Sequence, residues 1–226
     1  MNTKVIIKIY LLLILVCFST FLAEAQHFSP TLKMKNNIQK EWVLEDVQKA
    51  INYCEAKTLQ TLNNLGESDK SPRTIPAGET HWEAKQAGGW TSGFWAGILW
   101  YVYEGTQNDK VKQEAEKFTK TIKPILNAKV RSHDLGFIFN SSYGNAFRLT
   151  ENKEYAAILK VAADSLTTLF NKNVGTILSW PAQVQSKLYA PHNTIIDNMM
   201  NLELLFVASD ILGKSQYSTM AVSHAD

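Results

Sequence analysis

Apolar residues recur along this chain at the spacing of helices. Val47, Ile51, Cys54, Thr58, Leu62 and Leu65 fall on one stripe and Gly66 follows, which predicts a helix over 43–65 with Cys54 in the core. A second helix is predicted over 92–104, where Phe94, Trp95, Ile98, Leu99 and Val102 face inward and Gly93 and Gly97 form a small face for close approach. Asp109 starts another, with Val111, Ala115, Phe118 and Ile122 inward and Pro124 near its end. Further helices are predicted over 135–149 and over 153–170, the latter carrying Tyr155, Leu159, Ala162, Leu166 and Leu169. In the stretch from Thr194 to Phe206, Ile195, Ile196, Met199, Leu202, Leu205 and Phe206 recur at helical spacing and Gly213 marks the stop. A last helix begins near Ser215. The segment 67–89, with Pro72, Pro76, Gly78, Gly88 and Gly89, reads as a loop of a length that is often functional, and 171–190, with Gly175 and Pro181, reads as another loop. No stretch alternates as a strand does, so the fold class is all-α.

Against this pattern Asp197 stands out, a carboxylate in an otherwise apolar helix. Asp is almost never fully buried without a partner. Two readings compete. Thr194 and Asp197 could form a capping-box-like pair favoured by the helix dipole, which lowers the proton affinity of the carboxylate. An apolar wall and a second carboxylate nearby would raise it instead, as a general acid requires. The second carboxylate on offer is Asp134, in His133-Asp134-Leu135-Gly136-Phe137. It too has a local reading, as the cap of the helix that begins near Leu135, with His133 on a solvated loop.

His133-Asp134-Leu135-Gly136-Phe137, the block Ile195-Ile196-Asp197-Asn198-Met199-Met200-Asn201-Leu202, and Gly89-Trp90-Thr91-Ser92-Gly93-Phe94-Trp95-Ala96-Gly97 together resemble glycoside hydrolase family 88, the unsaturated glucuronyl hydrolases. The blocks come in the family's order, and the resemblance runs from about residue 42 to residue 226. It implies an (α/α)6 barrel, a toroid of six helical hairpins. It also implies release of an unsaturated uronic acid from the non-reducing end of lyase-generated oligosaccharides, by hydration of the C4=C5 double bond. By match to the family motif, Asp197 is the general acid and then the base that activates water. Asp134 binds sugar hydroxyls and keeps the proton affinity of Asp197 high. Trp90 flanks the uronate ring, Trp180 is a second sugar-facing aromatic, and His133 is a neighbour in the substrate-binding site. The resemblance implies no cofactor and no metal. The related unsaturated rhamnogalacturonyl hydrolases, and a carbohydrate-binding fragment that uses Trp90 and Trp180 without catalysis, are the alternatives. About half the helices of a six-hairpin toroid are counted, so residues 26–226 are expected to be the N-terminal part of the catalytic domain, with an apolar seam uncovered.

Composition adds little to this picture. The 226 residues carry a formal net charge of +2, which leaves no footprint for nucleic acid. Lys4 and Lys8, the apolar run 9–22 and Ala23-Glu24-Ala25 read as a signal peptide over 1–25, without a membrane span, which predicts export to a periplasm. Cys17 leaves a lipoprotein anchor as the alternative. With the leader removed Cys54 stands alone, so no internal disulfide is expected. No Cys/His cluster has zinc spacing.

Overall fold

A computed structural model of the chain describes residues 38–128 and 132–226, and side chains from residue 44 onward within that span. The segment 1–25, read above as a signal peptide, and Cys17 within it lie outside the described residues. The chain divides into two compact units, Met1–Val47 and Gln48–Asp226, and the elements that matter here belong to the second. Among the described residues no helix is long and apolar enough to cross a membrane.

Helix α1 spans Ile38–Leu65. Its apolar stripe is used only toward the C-terminal end, where Thr58 and Leu62 are buried. Cys54 is exposed, so the core position expected for it is corrected. The stripe carries on through Val47 and Cys54, but both are left facing solvent.

Helices α2 (Ser92–Thr106) and α3 (Asp109–Ile122) follow with two residues between them, which makes them packed neighbours. Trp100 lies fully buried between them, and its indole N–H donates to Thr119 Oγ1 at 2.8 Å. The inward residues expected of α3, Val111, Ala115, Phe118 and Ile122, are all buried. A 3₁₀ turn at Lys123–Asn127, built on Pro124, closes α3.

The helix expected over 135–149 is split. It runs as α4 (Leu135–Phe139), a π-helical turn (Asn140–Gly144) and α5 (Asn145–Thr150). Such π turns recur at functional sites. Phe139 and Tyr143 stack across it with ring centres 5.7 Å apart. Burial pushes the Tyr143 hydroxyl up to about 12, with nearby Tyr155 adding to the effect. A guanidinium–carboxylate fork from Arg148 to Glu104 ties α5 to α2 at 2.6 and 2.7 Å.

Helix α6 covers Lys153–Thr167, α7 Pro181–Gln185, α8 Asn198–Leu212 and α9 Ser215–Ala225. Leu202, Leu204, Leu205 and Ala208 of α8 enter the core beside Leu159, Ala162 and Leu166 of α6. Tyr217 of α9 donates to Asp164 of α6 at 2.6 Å. Burial works against the ionised Asp164, but hydrogen bonds from Lys160 and Tyr217 outweigh it and hold the carboxyl below its usual range.

Two departures from the all-helical expectation are small antiparallel ribbons. β1 (Ser71–Thr74) pairs with β2 (Glu83–Lys85), and β3 (Phe170–Asn171) pairs with β4 (Thr176–Ile177). They are too short to show alternation in sequence. They fold the long loops back on themselves, the first ahead of Trp90 and the second ahead of Trp180.

Candidate active site

Residues 133 and 134 precede α4, and residue 197 precedes α8. The two helices cross at Gly136, where an added Cβ would strike the backbone and side chain of Asn201. Only glycine allows that approach. It brings the helix starts together, and with them the carboxylates of Asp134 and Asp197.

His133 lies between the two. Its side chain is 1% exposed, and Nε2 sits 3.2 Å from Asp134 Oδ1 and 3.5 Å from Asp197 Oδ1. These distances permit charge attraction, yet neither contact is an aligned hydrogen bond among the described residues. The solvated-loop reading of His133 is therefore corrected: the ring is buried and faces the carboxylates. Asp134 is held on its other oxygen by Ser132, whose hydroxyl donates to Oδ2 at 2.7 Å.

Asp197 is divided. Oδ1 is buried without a hydrogen-bond partner among the described residues, while the side chain as a whole is 39% exposed. One oxygen thus faces the imidazole, and the exposure falls on the rest of the group. Neither aspartate caps its helix: each occupies the position before the first turn and makes no side-chain capping bond. The helix expected from Thr194 begins at Asn198, and Thr194 Oγ1 accepts from Asn198 Nδ2 at 2.9 Å instead.

Asn198 carries out the anchoring that Asp197 does not. Its Nδ2 also donates to the Ile177 carbonyl at 3.0 Å and to Ser179 Oγ at 3.1 Å. Ser179 Oγ in turn accepts from the Ile195 N–H.

Both predicted aromatics border this locus. Trp180 meets the His133 ring edge-on with centres 6.2 Å apart, and its other neighbour is Tyr189 at 5.1 Å. Its backbone has φ 36°, a left-handed conformation unusual for a large residue. Such strain costs on the order of 1–3 kcal/mol and gathers at functional sites. Trp90 is 53% exposed. It lines a cleft of about 100 Å³ together with Gly88, Gly89, Ser132, Asp134 and Leu135. Phe94 supports Trp90 edge-on at 6.2 Å and stacks on Phe137 at 5.4 Å, linking the aromatic rim to α4.

The sequence reading missed Arg73. Its guanidinium lies 5.8 Å from the Trp90 ring centre and donates to Thr91 Oγ1 at 3.1 Å. It reaches this place through the β1–β2 ribbon, which periodicity does not reveal. Asn201 was part of the matched block without a role. Its position four residues after Asp197, on the same helix face, is the signal that could have found it.

His133, Asp134 and Asp197 each offer a ligand atom, and these atoms lie within 4.8 Å of one another, close enough for one cation to touch all three. The buried imidazole lies between the two carboxylates.

No protein-family model matches the chain. It is 37% identical over 138 residues to an unsaturated glucuronyl hydrolase of Formosa agariphila, covering 61% of this chain and 34% of the relative. It is 30% identical over 182 residues to an unsaturated chondroitin disaccharide hydrolase of Streptococcus agalactiae, covering 79% of this chain and 44% of the relative. Among solved structures, an unsaturated glucuronyl hydrolase specific for heparin aligns with a TM-score of 0.67 and 33% identity, over 79% of this chain and 46% of that one. The chain thus spans less than half the length of each of these proteins. Its curated relatives and structural neighbours are unsaturated glucuronyl hydrolases of glycoside hydrolase family 88. Those neighbours are (α/α)6 barrels, so the expected fold holds over the matched part.

Proposed function

We propose that this chain carries the working carboxylates of a hydrolase that releases unsaturated uronic acid from the non-reducing end of lyase-generated oligosaccharides. The observation that carries the reading is Asp197, with one carboxyl oxygen buried against His133 and the rest of the group exposed beside a partnered Asp134. A carboxyl so placed can hold a proton on its open side and hand it to a substrate, which is the geometric requirement of a general acid.

In the proposed reaction Asp197 gives its proton to C4 of the C4=C5 double bond. The carboxylate left behind takes a proton from water, whose oxygen bonds to C5. The resulting hemiketal opens as its C5–O5 bond breaks, the C5 hydroxyl becomes a ketone and its proton passes to O5, which leaves C1 a hemiacetal; the C1–O bond to the remaining sugar then breaks, C1 becomes an aldehyde and the sugar leaves with the proton as its hydroxyl. Asp134 accepts hydrogen bonds from the sugar. His133, wholly buried, acts between the two carboxylates and does not touch the sugar. Trp90 supplies a face for the ring, and Arg73 beside it is a cation suited to an anionic uronide. The relatives named for chondroitin and for heparin fragments support glycosaminoglycan disaccharides as the substrate class. The basic and apolar residues of 1–25 support export to a periplasm as the site of action.

The test is loss of the ultraviolet absorbance of unsaturated glycosaminoglycan disaccharides. It is run on this chain and on a chain extended to the length of its relatives, each with Asp197→Asn alongside. The expected result is activity that the substitution lowers by about 10²- to 10⁴-fold, the usual contribution of a general acid. Unsaturated disaccharides left untouched by the extended protein would overturn the reading.

A further inference from the structure

The first turn of α4 has an amide to satisfy. Its opening residues are Leu135, Gly136 and Phe137, and Asp134 stands just before them. An aspartate there ordinarily accepts from the second or third amide of the helix. Asp134 does not. The Phe137 N–H donates to Asn201 Oδ1 at 2.9 Å, a side chain 64 positions away on α8. Asn201 is fully buried. The other end of its amide reaches back, with Nδ2 3.5 Å from the Asp197 carbonyl. One side chain therefore touches the start of both aspartate-bearing helices. The two contacts fix its orientation, since an N–H needs the carbonyl oxygen and a carbonyl needs the NH₂.

We infer that Asn201 is a positioning residue that caps the Asp134 helix from outside and thereby leaves the Asp134 carboxylate free to face His133 and Asp197. The inference rests on the reading of the two aspartates as the working pair. An amide suits the task because it offers an acceptor and a donor without a third charge beside two carboxylates. The alternative arrangement lies close at hand. If Asn201 is lost, the buried Phe137 N–H has no partner, and unmet buried donors are rare in folded proteins. The nearest replacement along the chain is the carboxylate of Asp134 itself, which caps only once the Asp134 backbone turns from its helical ψ of −12° to the extended form. Taking that bond draws Asp134 off His133 and out of the site.

Asn201→Leu keeps the volume and removes the acceptor, while Asn201→Asp keeps an acceptor oxygen at the same place. The Asp134 carboxyl carbon and the Phe137 amide are followed by NMR in this chain, and turnover is followed in whichever form is active. In Asn201→Leu the Asp134 resonance is expected to move. Turnover should fall about 10- to 100-fold through misplacement of a catalytic group. KM should stay within about twofold, because the loss falls on the chemical step. Asn201→Asp should restore the Phe137 amide and part of the turnover. A folded Asn201→Leu with an unmoved Asp134 resonance and parental turnover overturns the inference. If Asn201→Leu does not fold, Asn201→Asp decides: a Phe137 amide in its parental position supports the cap, and one that is lost in a folded chain overturns it. Should the parent act on no unsaturated uronide, the proposed reaction fails, and the Asp134 resonance still decides the capping role.

Discussion

Helices α3 and α6 begin on asparagine, while α4 and α8 begin on aspartate, and the two pairs treat the same position in opposite ways. Asn108 accepts from the amides of Lys110 and Val111, and Asn152 accepts from that of Glu154. Asp134 and Asp197 accept from no amide of their own helices. The backbone makes the difference. Asn108 and Asn152 are extended, with ψ of 113° and 116°, whereas Asp134 and Asp197 are already helical, with ψ of −12° and −14°. Capping requires the extended form, which aims the side chain back along the axis. A helical residue aims it away. The capping reading and the catalytic reading of the aspartates therefore part company in the backbone, not in the side chain. What the aspartates leave undone is done by other groups: Asn201 and the carbonyls of Ser132 and His133 for α4, and the carbonyls of Ile195 and Ile196 for α8.

The comparison is broken most severely at the crossing. In Gly136→Ala the new methyl has no space against the backbone of Asn201. The helices must part, which removes the cap on Phe137 and the approach of the two carboxylates together. Overpacking of this kind costs about 1–3 kcal/mol. The unfolding free energy from denaturant titration should fall by that amount, and turnover should fall further than the unfolded fraction explains. Parental stability in Gly136→Ala would mean that the crossing is looser than its geometry.

A smaller and sharper test sets one helix start against another. Asn152→Ala removes a true cap and should cost about 1 kcal/mol of stability. Activity per folded molecule should not change, because α6 starts away from the site. Asp197→Asn should do the reverse and leave stability within about 0.5 kcal/mol while activity collapses. Equal stability losses in the two would make Asp197 a cap after all.

The helices themselves were legible because each carries a stripe that meets a neighbour. α8 shows where that reasoning ends. Met199, Met200 and Phe206 are exposed, as is Ile196 just before the helix, while Asn198 and Asn201 are fully buried. A helix apolar around most of its circumference does not announce which face will be covered. Hydrogen bonds to Ile177, Ser179 and Phe137 pull the asparagines inward. The carboxylates and His133 were legible as parts of sequence blocks, yet the buried place of the imidazole between the two carboxylates was not, since it depends on α8 arriving from far along the chain. Arg73 and the left-handed backbone of Trp180 were hidden for a related reason: short ribbons and turns place them, and these leave no period to read.

The least of the expected effects concerns what holds the start of α8 in place of a cap. Asn198 donates to the Ile177 carbonyl, and the Ile177 N–H donates to His224 Nδ1 at 2.8 Å. That bond requires an imidazole nitrogen free of its proton. Burial, and then the nearby His192, lower the proton affinity of His224 below its ordinary value of 6.5. The unfolded chain therefore binds the proton at higher pH than the folded one. The stability this gives is complete above pH 6.5 and is lost as pH falls below it through the lowered folded value. Asp164, whose carboxyl is also held low, gives way only in the acid range below 3.8 and so does not act between about pH 7.5 and about pH 5.5. Melting temperatures at about pH 7.5 and about pH 5.5 isolate the histidine step. The drop on acidification should shrink in His224→Gln, which retains an acceptor that does not titrate in this range. An equal drop in parent and variant would show that the start of α8 is held by Asn198 and Ser179 without help from α9, and that the substitute for a cap is local.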